Sequence, residues 1–78
     1  MLRKTKAYTV KEENALCIFR RGKMCIENAK LQTKESLVAR LTCMGLNLFE
    51  VGANELGFNS FAELSRDPYY KQLIEQNV

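Results

Sequence analysis

Apolar side chains recur at helical spacing after residue 33, and this pattern constrains the fold more than any other feature. The stripe occupies positions i, i+1, i+4 and i+7 and consists of Leu37, Val38, Leu41 and Met44. Thr33 precedes it as a candidate N-cap, and Gly45 follows it as a residue type that commonly ends helices. Because this spacing gathers side chains on one helix face, it predicts a helix between Thr33 and Gly45.

The residues that follow predict further short helices. A second helix is expected over residues 47–56, with Gly57 as its terminator, and a third after Asn59. Asp67 and Pro68 mark the start of a fourth, because aspartate caps well and proline is tolerated in the first turn. Residues 33–77 are therefore predicted to be helical.

A β-hairpin is predicted over residues 15–28. Two short apolar arms flank Arg20-Arg21-Gly22-Lys23, and Gly22 can take the left-handed position of a three-residue loop. One face of this hairpin is apolar, and the mixed opposite face carries Cys17, Phe19, Cys25 and Glu27. A buried helix is the alternative, but a glycine among charged residues argues against it.

These elements together predict an α+β fold, in which an N-terminal β-hairpin packs on three or four short α-helices. The 78 residues leave room for a single domain, residues 1–78, with a small hydrophobic core. Residues 1–14 are polar and basic, so we expect a loosely ordered start with one short strand around residues 7–10.

The distribution of apolar residues and cysteines indicates a cytoplasmic protein that does not enter the membrane. No apolar run approaches the ~18 residues that a membrane-spanning helix needs. No hydrophobic signal segment follows the basic N-terminus. Cys17, Cys25 and Cys43 are an odd number without a CxxC pair, so we expect three small buried side chains rather than disulfides or zinc ligands.

The sequence has no histidine, and this removes most catalytic options. Neither a serine nor a cysteine nucleophile can be paired with a histidine base. The acidic residues are dispersed apart from Glu12-Glu13, and the glycines form no phosphate-binding loop. We therefore expect a protein that is not an enzyme, with no catalytic residue, metal or cofactor.

Charge is divided unevenly along the chain. Residues 1–40 hold ten basic and four acidic residues, whereas residues 41–78 hold two basic and five acidic ones. The candidate basic patch consists of Arg3, Lys4, Lys6, Arg20, Arg21, Lys23 and Lys30. If the N-terminal arm and the hairpin tip lie together, these cations would attract a phosphate backbone or an acidic protein surface.

One segment, residues 48–66, resembles the second helix-turn-helix of AraC-type transcription regulators. The resemblance lies in Ala53, in the turn Leu56-Gly57-Phe58 and in Leu64-Ser65-Arg66. It implies two helices that cross at the turn glycine, with residues 59–66 entering the major groove of DNA.

Taken together, these features predict a small regulatory or inhibitory protein that acts through protein–protein contacts. Tyr69 and Tyr70 are the candidate anchors, because adjacent helical residues cannot both point inward. Stand-alone chains of this size are common among phage and mobile-element products. The alternative is a nucleic-acid-binding transcription regulator that uses the basic hairpin or the helix-turn-helix-like corner. That alternative calls for a homodimer, with the mixed hairpin face as its seam, and it ranks second because residues 41–78 are net acidic.

Overall fold

The computed structural model describes residues 9–78, and every regular element in that range is an α-helix. The helices are α1 (Val10–Lys30), α2 (Glu35–Glu55), α3 (Phe61–Leu64) and α4 (Pro68–Asn77). The long helices α1 and α2 form an antiparallel pair, and α3 and α4 fold back along one side of it. The predicted α+β fold is therefore wrong, since residues 9–78 contain no strand.

Residues 15–28, predicted to be a β-hairpin, lie within the single helix α1. The stripe that α1 turns towards α2 has alternating steps of four and three residues and consists of Ala15, Phe19, Gly22, Ile26 and Ala29. Gly22 is buried in the helix rather than exposed at a turn. The hairpin prediction is wrong because a glycine among charged residues can serve close helix packing as well as a turn.

The start of α1 is set by a capping box. Thr9 Oγ1 accepts a hydrogen bond from the Glu12 amide at 3.1 Å, and the Thr9 amide donates to Glu12 Oε1 at 3.1 Å. The short strand expected around residues 7–10 is also wrong for its described part, because Thr9 is the cap and Val10 the first helical residue. Residues 7 and 8 lie outside the described range.

Helix α2 runs without a break through Gly45, where the sequence predicted a helix end. A Cβ added at Gly45 would lie 2.8 Å from the Gly22 carbonyl oxygen, and one at Gly22 would lie 2.9 Å from the Gly45 carbonyl oxygen. The two glycines therefore allow the helix backbones to approach closely. Farther along α2, a Cβ at Gly52 would lie 2.5 Å from a ring carbon of Phe19, so that glycine makes room for the ring.

The predicted end of α2 at Gly57 is confirmed. Gly57 has a φ of 92° and is the one residue with positive φ in the described range. The Gly57 amide donates to the Asn54 carbonyl and the Phe58 amide to the Ala53 carbonyl, both at 3.0 Å. This pair of bonds is the Schellman arrangement that satisfies the last carbonyls of a helix.

The hydrophobic core lies on the side of the α1–α2 pair that α3 and α4 cover. Its buried members are Ala15, Leu16, Phe19, Ala53, Leu64 and Leu73. Phe49 and Phe61 pack on Phe19, with ring centroids 5.8 Å and 5.6 Å from that of Phe19. Because α3 and α4 both lie on this side, the core is small and lies off the centre of the helix pair.

Helix α4 begins as the sequence predicted, with Asp67 as N-cap and Pro68 in the first turn. The Asp67 carboxylate accepts from the Tyr69 amide at 2.9 Å and from the Tyr70 amide at 3.4 Å.

Over residues 9–78, none of the helices combines the length and apolarity needed to cross a bilayer.

Candidate protein-binding surface

Helix α2 carries a second apolar stripe that does not face α1. Its steps alternate between four and three residues, and its members are Leu37, Leu41, Met44, Leu48 and Val51. At 3.6 residues per turn, this stripe is rotated by roughly 80° from the Gly45–Gly52 line that contacts α1. The rotation is away from Ala53, the buried α2 residue on the α3–α4 side. The stripe therefore belongs to the side of the helix pair opposite the core.

Exposure along this stripe increases with distance from α1. Leu41 and Leu48 are half-buried, and the Leu48 Cβ would lie 3.3 Å from a Cβ added at Gly22 on α1. Leu37, Met44 and Val51 are 38%, 47% and 48% exposed, respectively. None of these side chains belongs to the core cluster or to the apolar residues packed against it. The stripe is thus a row of large apolar side chains with no covering element among residues 9–78.

The surface continues onto α1 through Ile18 and Cys25, which are both half-buried. Ile18 lines a shallow cleft of about 340 Å³, together with Asn14, Cys17, Arg21 and Glu55. Since Glu55 ends α2 and the other residues lie on α1, this cleft joins the two helices. We call the α2 stripe together with Ile18 and Cys25 the open face.

Charged residues stand at both ends of the open face. Lys34 and Arg40 are exposed near the N-terminal end of α2, and Glu55 is exposed at its C-terminal end. Arg21 lies across the cleft from Glu55. The rim is therefore basic at one end and mixed at the other, with an apolar centre.

The described members of the predicted basic patch lie in different places. Arg20 Nε donates to the Asn77 carbonyl at 3.1 Å, and Lys23 Nζ donates to the Val78 carbonyl at 2.5 Å. Arg21 lines the cleft on the open face, and Lys30 is exposed in the last turn of α1. The hairpin tip that was expected to gather these cations does not exist. Arg3, Lys4 and Lys6 lie outside the described residues.

The two candidate tyrosine anchors differ in environment, as their adjacency on a helix predicts. Tyr69 is 55% exposed, and its hydroxyl donates to Glu12 Oε2 at 3.3 Å. Tyr70 is half-buried, with its ring edge-on to Phe58 at 5.5 Å. Burial raises the pKa of the Tyr70 phenol, and the negative charges of Glu12 and Asp67 raise it further. Both tyrosines therefore help to hold α4 in place.

The cysteines do not behave as the predicted small buried residues. Cys17 and Cys43 are exposed and Cys25 is half-buried, so that expectation is wrong. The prediction relied on the usual burial of cysteine as a small apolar residue, whereas α1 and α2 present Cys17 and Cys43 to solvent. Within residues 9–78, no three Cys, Asp or Glu side chains are close enough together to hold a metal ion.

The apolar pattern of the sequence did not separate the open face from the face of α2 that packs on α1. It predicted one stripe, Leu37, Val38, Leu41 and Met44, on a helix that ends at Gly45. The signal that could have separated the two faces is a pair of adjacent seven-residue series. One contains Leu37, Met44 and Val51, and the other contains Val38, Gly45 and Gly52. A helix with both series can bury one of them and leave the other open.

The segment that resembles a helix-turn-helix forms only one turn of helix after Gly57. Helix α3 spans Phe61–Leu64, with Ser60 as its N-cap, and Leu64 is fully buried. The Phe61 amide donates to Glu50 Oε1 at 3.1 Å, which ties α3 to α2.

In the comparison with known proteins, no family model, curated protein or solved structure matches the chain.

Proposed function

We propose that this chain is a non-enzymatic regulatory or inhibitory protein that binds another protein through the open face. The observation that supports this most directly is the row of exposed apolar side chains at Leu37, Met44 and Val51. Contiguous exposed apolar surface is uncommon on isolated soluble proteins and commonly marks an interaction site. Charged side chains at both ends of the row would help to orient the partner.

The open face lies on two helices that pack closely against each other. The close approach of Gly22 and Gly45 fixes the two backbones against each other. A surface that is already ordered before binding loses less conformational entropy when a partner docks. Met44, at the centre of the row, adds an unbranched side chain that adapts to different partner shapes.

The balance of buried and exposed apolar residues favours the same proposal. Among residues 9–78, seven apolar residues are buried, and three of these are alanines. Eight large apolar residues of the same range are exposed. Large apolar side chains that lie outside the core leave apolar area that a partner can bury.

Nucleic-acid binding remains the alternative. Its support is the overall charge of +3, but residues 9–78 contain nine basic and nine acidic residues. Two of the cations, Arg20 and Lys23, already bind carbonyls at the end of α4. Phosphate contacts provide most of the affinity in DNA binding, so the alternative depends on Arg3, Lys4 and Lys6.

The proposed function is tested by affinity capture from a lysate of the source organism, with and without nuclease. Met44→Glu places a charge in the middle of the open face. Leu46→Glu is the matched control, because Leu46 is 55% exposed on a different face of α2. We expect wild type and Leu46→Glu to retain the same protein and Met44→Glu to lose it, with no effect of nuclease. Retention by Met44→Glu, or loss of all capture after nuclease, contradicts the proposal.

A further inference from the structure

We propose that the protein that binds the open face is itself a second copy of this chain, packed about a two-fold axis at Met44. In this arrangement, which rests on the proposed function because it uses the same face, two α1–α2 pairs form a four-helix assembly. The α2 helices of the two copies lie against each other and run in opposite directions. Each copy would cover the apolar row of the other.

The spacing of the apolar row is the first argument. A row with alternating steps of four and three residues has a mean period of 3.5, which is the pattern of helices that pack lengthwise on one another. From Leu37 to Val51 the row extends about 21 Å along α2. A surface of this shape fits another long straight helix, and α2 of a second copy presents a row of the same length and spacing.

Residue pairing across the axis is the second argument. With Met44 on the axis and the helices antiparallel, Leu37 of one copy lies opposite Val51 of the other. Leu41 then lies opposite Leu48 of the second copy. Leu41 and Leu48 are the less exposed members of the row, and they lie on the side of the row that borders α1. An isologous interface requires such a self-complementary patch.

Charge decides between the two directions in which the helices could pack. Residues 34–44 contain Lys34, Glu35 and Arg40, a net charge of +1, and residues 45–55 contain Glu50 and Glu55, a net charge of −2. Antiparallel packing brings the basic half of each α2 to the acidic half of the other, with Lys34 near Glu55 of the second copy. Parallel packing places like charges together, which disfavours it.

The small core also favours a second copy. Only Phe19, Leu16 and Leu64 are both large and fully buried in the described part of the chain. Chains of this size bury a limited fraction of their surface, and oligomerisation is one of the ways in which they gain stability. A second copy supplies that burial without any other molecule.

Sedimentation equilibrium of the full-length chain tests the proposal, over concentrations from about 1 μM to about 1 mM. We expect wild type and Leu46→Glu to form dimers. Met44→Glu should raise the dissociation constant at least tenfold, because two carboxylates would meet at the axis (roughly the effect of 1.4 kcal/mol). Circular dichroism should show that Met44→Glu keeps its helices, since Met44 is 47% exposed and makes no core contact.

Cysteine cross-linking tests the orientation, in a background where Cys17, Cys25 and Cys43 are replaced by serine. On the axis, Met44→Cys should form a disulfide with its own copy, because a disulfide needs Cβ atoms about 3.5–4.5 Å apart. Leu37→Cys and Val51→Cys should each stay uncrosslinked alone and cross-link when mixed. Asn54→Cys, exposed on α2 away from the open face, is the control and should not cross-link. Efficient self-linking of Leu37→Cys overturns the antiparallel arrangement.

The outcomes separate this inference from the proposed function. If wild type is a monomer at the highest concentration, the second copy is excluded. The proposed function then stands if Met44→Glu still abolishes capture of a lysate protein. If wild type is a dimer that Met44→Glu does not weaken, the interface lies elsewhere and the inference fails.

Discussion

The hydroxyl of Tyr69 on α4 donates a hydrogen bond to Oε2 of Glu12 on α1, at 3.3 Å and across 57 residues of sequence. The other carboxylate oxygen, Oε1, accepts from the Thr9 amide at 3.1 Å. Glu12 is 8% exposed and is the one buried charged residue within residues 9–78. A single carboxylate therefore caps the first helix and holds the last helix on it.

Replacement of Glu12 by alanine should lower the free energy of unfolding by about 2–3 kcal/mol, because it removes one half of the capping box and takes an acceptor from the Thr9 amide and from the Tyr69 hydroxyl. Glu13→Ala is the control, since Glu13 is exposed and its Oε2 lies 3.8 Å from Arg20 in a solvated ion pair. Tyr69→Phe should cost about 1 kcal/mol. Urea unfolding at one protein concentration measures each loss.

A double-mutant cycle checks whether these two side chains act together. If Glu12 and Tyr69 interact as the structure shows, the double variant should lose less stability than the sum of the single losses. Additive losses, or a Glu12→Ala variant as stable as Glu13→Ala, would argue against the contact.

The glycines at the helix crossing should tolerate no side chain. Alanine is the better helix former by about 1 kcal/mol, so propensity alone predicts that Gly22→Ala and Gly45→Ala are stabilising. However, an added Cβ would meet backbone oxygen at 2.9 Å or 2.8 Å, and a backbone cannot rotate away. We expect a net loss of roughly 1–3 kcal/mol for each variant. Stability equal to wild type in either variant would mean that the helices are farther apart than described.

Gly57 should be sensitive for a different reason. An added Cβ would meet no atom within 4 Å, but the φ of 92° is unfavourable for residues with a side chain. Gly57→Ala should lower the free energy of unfolding by about 1–2 kcal/mol, and Gly57→Asn by less, because asparagine tolerates this conformation better. Thermal unfolding of the two variants, ranked against wild type, gives the test; an Asn variant less stable than the Ala variant would contradict it.

Stability should fall in alkaline solution through Tyr70. The pKa of its phenol is raised above the ordinary value of 10.0 in the folded chain, so the unfolded phenol loses its proton first as the pH rises. The stabilisation of the folded chain that comes from this difference in pKa is complete below pH 10, and it is lost as the pH rises through the folded pKa of Tyr70. Denaturant unfolding at several alkaline pH values should show a steeper fall for wild type than for Tyr70→Phe. Equal slopes would exclude the effect.

Two signals confined to a few neighbouring residues were predicted correctly, whereas the cap predicted at Thr33 was not, since Lys34 is the N-cap of α2. Asp67 and Pro68 start α4 because a cap acts on amides two and three residues ahead. Gly57 ends α2 because the closing hydrogen bonds join residues that are at most five positions apart. In both cases the physical cause lies within the segment itself, so no knowledge of the remaining chain is needed.

The role of Gly22 was not predictable in this way. A glycine suits a hairpin turn because it accepts positive φ, and it suits a helix crossing because it lacks a Cβ. The sequence around Gly22 does not distinguish these uses, since the deciding contact is with Gly45, which lies 23 positions away. The same contact explains why α2 continues through Gly45 rather than ending there.

The sequence by itself predicted helical structure on both sides of Gly45 and an apolar stripe at Leu37, Val38, Leu41 and Met44, but not the single helix α2 or its two apolar faces. Only the tertiary structure decided which face is buried. The series with Gly45 and Gly52 packs on α1 because the missing side chains let the backbones and the Phe19 ring come close. The series with Met44 remains outside because its side chains would hold the helices apart. The open face, and with it the proposed binding surface, is a consequence of that choice.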